Sequence, residues 1–168
     1  MTRTDPATTG GEPTLLSEFL DYLRETIAEK TDGLDEAGLA ATHPPATMTL
    51  GGMLKHLTFV EDYWAGVLTG GRTPAPWDSA PWEDDPDWDW HSAAGDAPER
   101  LREQWRAAVQ RSQALLPGDD LDRLSVQANR SGEHFSVRWI LIHLVEEYGR
   151  HCGHADLIRE SIDGTVGE

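Results

Sequence analysis

Residues 136–160 read SVRWILIHLVEEYGRHCGHADLIRE. On a helical wheel, at about 100° per residue, apolar and ionisable side chains of this stretch lie within roughly 40° of one line along the helix. These side chains belong to Ile140, Leu144, Glu147, His151, His154 and Ile158. Because apolar residues at this spacing face a protein core, the pattern predicts a long helix, capped by Ser136 and reaching about Glu160, that turns Glu147 and His151 inward.

Three other segments repeat the i, i+3, i+4 spacing of a helix with one buried face. They are bounded by Thr14 and Gly33, by Thr49 and Gly70-Gly71, and by Asp96 and Pro117-Gly118. Thr49 and Asp96 are the N-cap candidates, and Glu99 would complete a capping box with Asp96. No alternating run is long enough for a sheet. Since two of the connections are long, we predict an all-α four-helix bundle with crossover connections.

The connections and ends of the chain are polar. Residues 1–12 are expected to form a flexible tail, and residues 13–168 to form the bundle domain, with a short extra helix over 35–41. The loop 73–92 is rich in proline, acidic residues and tryptophan. It could cover a site as a lid, but we favour a loop that wraps the bundle and fills surface grooves with its tryptophan rings.

Composition limits the partners that this chain can have. Thirty acidic and 14 basic residues give a net charge of −16, which repels nucleic acid and anionic membranes. No segment approaches the ~20 apolar residues of a transmembrane helix, and the first 13 residues do not resemble a secretory signal. The single cysteine, Cys152, allows no internal disulfide. We therefore expect a cytoplasmic protein without nucleic-acid or membrane partners.

The inward Glu147 and His151 predict chemistry, because a buried carboxylate without compensation costs several kcal/mol. His56 lies on the inner face of the second long helix, so three side chains suited to a divalent metal could meet. Three protein ligands with an open position are typical of catalytic metal sites. The alternatives are a plain Glu147–His151 ion pair and a core histidine at position 56. His143 and His154, one turn either side of the pair, are rival ligands.

Residues 136–160, with Ile162-Asp163-Gly164 after them and Leu54-Lys55-His56-Leu57 before them, resemble the DinB superfamily of metalloenzymes. The resemblance covers roughly residues 14–168 and is strongest with the mini-circle-protein branch. It implies a four-helix bundle in up-down-down-up order, often dimeric. It also implies a divalent metal, typically zinc or nickel, held by three side chains.

The typical DinB motif has two histidines separated by three residues, and here Glu147 replaces the first while His151 matches the second. The mycothiol-dependent maleylpyruvate isomerases, which the site resembles, share this His, Glu, His pattern. The resemblance therefore implies His56, Glu147 and His151 as the ligands, and favours Glu147 over His143. In those relatives the metal binds a low-molecular-weight thiol and stabilises its thiolate.

Three functions fit these observations. The first is a metal- and thiol-dependent transferase or isomerase that acts on a small electrophile. The second is a hydrolase that uses metal-bound water, assisted by His154 or Tyr63 as catalytic residues. The third is a non-catalytic, stress-associated homodimer in which the metal joins two helices. Cys152, about 100° around the helix from His151, is expected to miss the metal and pack as a small hydrophobic residue.

Overall fold

The computed structural model describes residues 3–116 and 120–167, and the chain is mostly helical. Six helices are present in this part of the chain: α1 Glu12–Thr31, α2 Glu36–Ala40, α3 Leu50–Thr69, α4 Trp88–His91, α5 Pro98–Leu115 and α6 Val137–Asp163. Two strands, β1 Leu124–Ala128 and β2 His134–Ser136, precede α6. Single 3-10 turns at Trp77–Ser79 and Ser92–Gly95 interrupt the proline-rich loop, which holds no long helix, as its prolines predict.

The four long helices, α1, α3, α5 and α6, supply most of one hydrophobic core. Helix α3 packs against α5 and α6, and α1 packs against α6. Most of the inner face predicted for α3 is buried, including Met53, Leu57 and Val60, but His56 on that face is only partly buried. Phe19 in α1 and Leu115 in α5 continue the apolar spacing of their helices and are nevertheless exposed. These two residues lie at the edges of their apolar faces, where solvent reaches them. The up-down-down-up order of the helices remains a prediction.

Two of the three predicted N-caps are confirmed. The Thr49 hydroxyl accepts a hydrogen bond from the Gly52 amide at 3.0 Å, and the Ser136 hydroxyl accepts one from the Trp139 amide at 3.1 Å. The Asp96 cap is wrong, since Ala97 occupies the cap position of α5 without a side-chain bond. The Asp96 carboxylate instead accepts a 2.5 Å hydrogen bond from the buried Lys55 ammonium. The Asp96 carboxylate therefore binds a charged side chain rather than the backbone amides of α5.

The expectation of no sheet is wrong. Strands β1 and β2 form an antiparallel hairpin in which Leu124 pairs with Ser136 and Ala128 with His134. The Asn129 side-chain carbonyl closes the turn by accepting bonds from the amides of Ser131 and Glu133, both at 2.9 Å. Five and three residues are too few for an alternating pattern to show, so asparagine-based turn chemistry rather than periodicity specifies this hairpin.

The N-terminal segment, expected to be a tail, lies along α1. The Thr4 amide donates to Glu25 at 2.9 Å and the Ala7 amide donates to Glu18 at 2.7 Å. The division into 1–12 and 13–168 remains a prediction, while Pro117-Gly118, predicted to end α5, lies outside the described residues. Every helix in the described part of the chain is too short or too polar to cross a membrane.

A buried ion pair links the long helices. The Arg24 guanidinium of α1 donates two 2.8 Å hydrogen bonds to the Glu61 carboxylate of α3, which has no solvent exposure. The Tyr148 hydroxyl of α6 donates to the same carboxylate at 2.8 Å and accepts from the Trp105 indole of α5 at 2.9 Å. Burial, and then the Glu61 charge, keep the pKa of Tyr148 well above its usual value, so this phenol remains a donor. Sequence reasoning missed this second inward carboxylate.

We expect Glu61→Leu to lower the free energy of unfolding by about 3–5 kcal/mol, because it leaves a buried guanidinium without its carboxylate. Tyr148→Phe should cost about 1–3 kcal/mol by leaving a carboxylate oxygen and an indole N–H without this partner. Tyr63→Phe, at an exposed phenol, is the matched control and should change little. Urea denaturation measures all three, and a Glu61→Leu protein as stable as the unchanged chain would contradict this account.

Candidate metal centre

Helices α3 and α6 bring His56, Glu147 and His151 together, and their candidate ligand atoms all lie within 4.8 Å of one another. Glu147 Oε2 is 3.5 Å from His151 Nε2 and 3.8 Å from His56 Nε2. Both contacts are longer than a good hydrogen bond. Two ligands of one tetrahedral zinc, each bonded at 2.0–2.2 Å, are about 3.4 Å apart. The spacing of the three groups therefore fits a shared cation better than a directly bonded ion pair.

Charge in the cluster matches that interpretation. The imidazole of His151, followed by that of His56, holds the pKa of the Glu147 carboxyl well below its usual range, against the opposing effect of burial. A carboxylate that stays ionised over the physiological range is a ready ligand for a divalent cation. His151 itself is buried, and its Nδ1 has no hydrogen-bond partner among the described residues.

His56 is held from two sides by the loop 73–92. Its Nδ1 donates a 2.6 Å hydrogen bond to the buried Asp89 carboxylate, which directs Nε2 towards Glu147. The Trp90 indole stacks on the imidazole with ring centroids 4.5 Å apart. A carboxylate on the remote nitrogen of a metal-ligating histidine fixes the tautomer and raises ligand basicity. Burial lowers the pKa of His56, but Asp89 and then Glu147 outweigh it and leave this pKa raised.

A comparison with known protein families identifies the family of this chain. The family model of the mycothiol S-transferases matches residues 15–164, nearly the whole chain. The chain belongs to the mycothiol S-transferase family. Because this family is DinB-like, the resemblance to the DinB superfamily is confirmed. A search of curated proteins finds no match to this chain.

Both rival histidines are close to the predicted ligands. His143 Nε2 is 3.6 Å from Glu147 Oε1, the oxygen that does not face His56 and His151. His143, Glu146 and Glu147 form a second group whose ligand atoms lie within 4.8 Å, but Glu146 is exposed. The group with His56 is the better cage, because two helices rather than one supply its ligands.

His154 lies beside the cluster without joining it. Its ring centroid is 5.8 Å from that of His151, and its Nδ1 is buried with no hydrogen-bond partner among the described residues. Burial, followed by the nearby His151 and Arg150, lowers the pKa of His154. The imidazole is therefore neutral at physiological pH and able to accept a proton close to the centre.

Tyr63 and Tyr148 have different surroundings. Tyr63, predicted to assist catalysis, is 42 % exposed and contacts Phe59 and Trp64. It lies two turns beyond His56, about 10 Å along the axis of α3. The structure thus does not bring Tyr63 to the cluster, and its catalytic role remains a prediction. Tyr148 is fully buried and is bonded to Glu61 rather than facing the centre.

The tryptophan-rich loop combines both interpretations made from the sequence. As expected of a loop that wraps the bundle, Trp77 is buried with its indole bonded to Asp62, and Trp82 packs on Phe59 of α3. Its last turn, α4, brings Asp89 and Trp90 into contact with His56 of the candidate metal centre. No sequence signal separated Asp89 from the other acidic residues of this loop.

Asp89→Asn should weaken binding of zinc by about 10- to 100-fold, the usual effect of losing a carboxylate behind a histidine ligand. An amide carries no charge and does not hold the imidazole in the same tautomer as strongly. Asp84→Asn, at an exposed position of the same loop, is the control. Competition titrations with a chelator measure both affinities, and equal affinities would rule out this role for Asp89.

Cys152 should resist alkylation at neutral pH. Its thiol donates to the Leu23 carbonyl at 3.5 Å, and burial, followed by the charge of Asp156, raises its pKa to about 12. Only about one thiol in ten thousand is then ionised at pH 8, and the thiolate is the reactive form. Iodoacetamide labelling followed by mass spectrometry should be slow in the folded chain, fast in urea, and faster as pH rises. Rapid labelling of the native protein at pH 7 would contradict the burial.

Proposed function

We propose that this chain is a metal-dependent S-transferase that joins mycothiol, or a similar low-molecular-weight thiol, to a small electrophile. The observation that carries the proposal is the convergence of His56, Glu147 and His151 from two helices within 4.8 Å. Membership of the mycothiol S-transferase family supports the thiol. Zinc is the first choice of metal for two imidazoles and a carboxylate, and nickel is the alternative.

A divalent cation held by these residues would supply Lewis acidity, which lowers the pKa of a thiol in its open position. The ligand set is suited to that task. One carboxylate and two neutral imidazoles leave a net positive charge on the site, which favours an anionic sulfur. A second carboxylate in the cage would cancel that charge, and Asp89 avoids this by bonding to His56 rather than facing the cluster.

The residues of the chain supply orientation and proton transfer. Asp89 and Trp90 hold the His56 ring in place. We assign the thiol proton to His154, whose buried Nδ1 lacks a partner among the described residues and whose pKa is lowered. The sulfur then forms its bond to the electrophilic carbon, and the leaving group departs with the bonding electron pair. Acid–base assistance of this kind contributes about 10²- to 10⁴-fold in rate.

The contacts of α3 and α6 weaken the alternative of a purely structural metal. These helices are already joined by the Tyr148–Glu61 hydrogen bond and by the apolar core. A cation is therefore not needed to hold them together. Among other expectations, a homodimer is supported by the exposed Trp139 and Ile142 on α6. The absence of nucleic-acid partners is supported by the charge of −16, and the cytoplasmic location stays a prediction.

His56→Ala and Glu147→Gln should each lower zinc affinity and thiol-transfer turnover by at least about 100-fold. Loss of a metal ligand should cost more affinity than the roughly 10- to 100-fold lost when a residue bonded behind a ligand, such as Asp89, is removed. Both proteins should remain folded, because the Arg24–Glu61 network is intact. His43→Ala, in the loop before α3, is the control. The assay follows conjugation of mycothiol to monobromobimane with metal removed and restored.

Three results would count against the proposal. Turnover that survives both substitutions would separate the reaction from the metal centre. Ester or amide hydrolysis that depends on the metal but not on added thiol would favour the hydrolase. Unfolding of the His56→Ala protein, with no activity in any assay, would favour the structural metal.

A further inference from the structure

A cavity lies next to α4, the turn that contacts His56 of the candidate metal centre. It has a volume of about 450 Å³, within the range of small-molecule sites, and none of the three candidate ligands lines it. Buried Leu39, Ala93 and Leu101 line it together with the exposed carboxylates of Glu36 and Asp87. The cavity therefore combines an apolar floor with an acidic rim.

The charge of this lining selects the kind of molecule that could bind. His91, the basic side chain of the lining, is exposed and paired with Asp85 at 2.9 Å. Asp96 is matched by Lys55 and Arg100, so its charge is compensated. Glu36 and Asp87 then dominate the potential at the rim, which repels anions and attracts cations.

Trp90 belongs to both the cavity and the metal centre. Its ring lines the cavity and stacks on His56 at 4.5 Å. The ring also presses directly on α3, because a Cβ on Gly52 would lie 3.0 Å from Trp90 Cε3. Close packing of this kind leaves little room for the indole to move without moving its neighbours. A molecule that displaces the Trp90 ring from within the cavity would therefore also shift the His56 ring.

We propose that this cavity is a binding site for compact, neutral or cationic molecules with a flat apolar body, and that Trp90 transmits its occupancy to His56. Helix α4 connects the two sites, since Asp89 bonds to His56 while the adjacent Trp90 and His91 line the cavity. The consequence for metal chemistry rests on the proposed function, but binding in the cavity does not.

The test uses the metal-free full-length chain and three probes of the same shape: 2-naphthylmethylammonium, 2-naphthylmethanol and 2-naphthoate. In NMR titrations, the Trp90 indole and Ala94 amide signals should shift saturably with the cation and the alcohol. The carboxylate should bind at least about tenfold more weakly than the cation, because it faces two acidic groups. Signals of the His56 ring should move along the same saturation curve.

Three variants separate the parts of the proposal. Ala40→Trp, at the cavity wall, should abolish the shifts, while Ala114→Trp, on the exposed face of α5, should preserve them. In a chain carrying Glu36→Gln and Asp87→Asn, the cation should lose its preference while the alcohol binds as before.

Equal binding of all three probes, or no saturable shift with any, would overturn the site. Unchanged His56 signals at saturation would overturn its link to the metal centre. No metal is present in this experiment. Its outcome therefore tests binding in the cavity even if the proposed transferase function is wrong.

Discussion

The ion pair between Arg24 and Glu61 is the interaction on which the remaining structure depends. Its carboxylate has no access to water, so burying it is tolerable only because a guanidinium and a phenol compensate it together. Those partners come from α1 and α6, and Trp105 of α5 binds the phenol in turn. The network thereby fixes how α3 faces α6. His56 lies about one and a half turns before Glu61 on α3, and Glu147 is the neighbour of Tyr148 on α6. The packing of these two helices therefore also brings His56 and Glu147 into contact.

The candidate metal centre is completed from outside the four long helices. Helix α4, a single turn in an irregular segment, provides the carboxylate and the indole that hold His56. Lys55, the neighbour of His56 in sequence, anchors this segment through Asp96 and the Trp88 ring. The loop 73–92 thus fixes the orientation of His56, one of the three candidate ligands. Regions of this type often carry functional groups while the regular elements supply rigidity.

Periodicity in the sequence was sufficient to predict the long helices and the inward direction of Glu147 and His151, because a buried helical face repeats every 3.6 residues. It could not predict the hairpin, whose strands are too short to show a period, or the pairing of Asp96 with Lys55, which joins residues 41 positions apart. Asp89 could not be told apart from the similar acidic residues around it, and Glu61 was overlooked because its partners come from two other helices, α1 and α6. Long-range polar contacts leave no local pattern, and the family resemblance carried information about the ligands that spacing did not.

The most direct test of the metal centre is X-ray absorption spectroscopy of the zinc-loaded protein, with and without mycothiol. Without thiol, the spectrum should show only nitrogen and oxygen neighbours at about 2.0–2.2 Å. Mycothiol should add one sulfur neighbour at about 2.3 Å. The spectrum of the His56→Ala protein should lack this set of nitrogen, oxygen and sulfur neighbours. A spectrum that gains no sulfur at saturating mycothiol, or one that is the same in the His56→Ala protein, would contradict the assignment of these residues as a thiol-binding metal site.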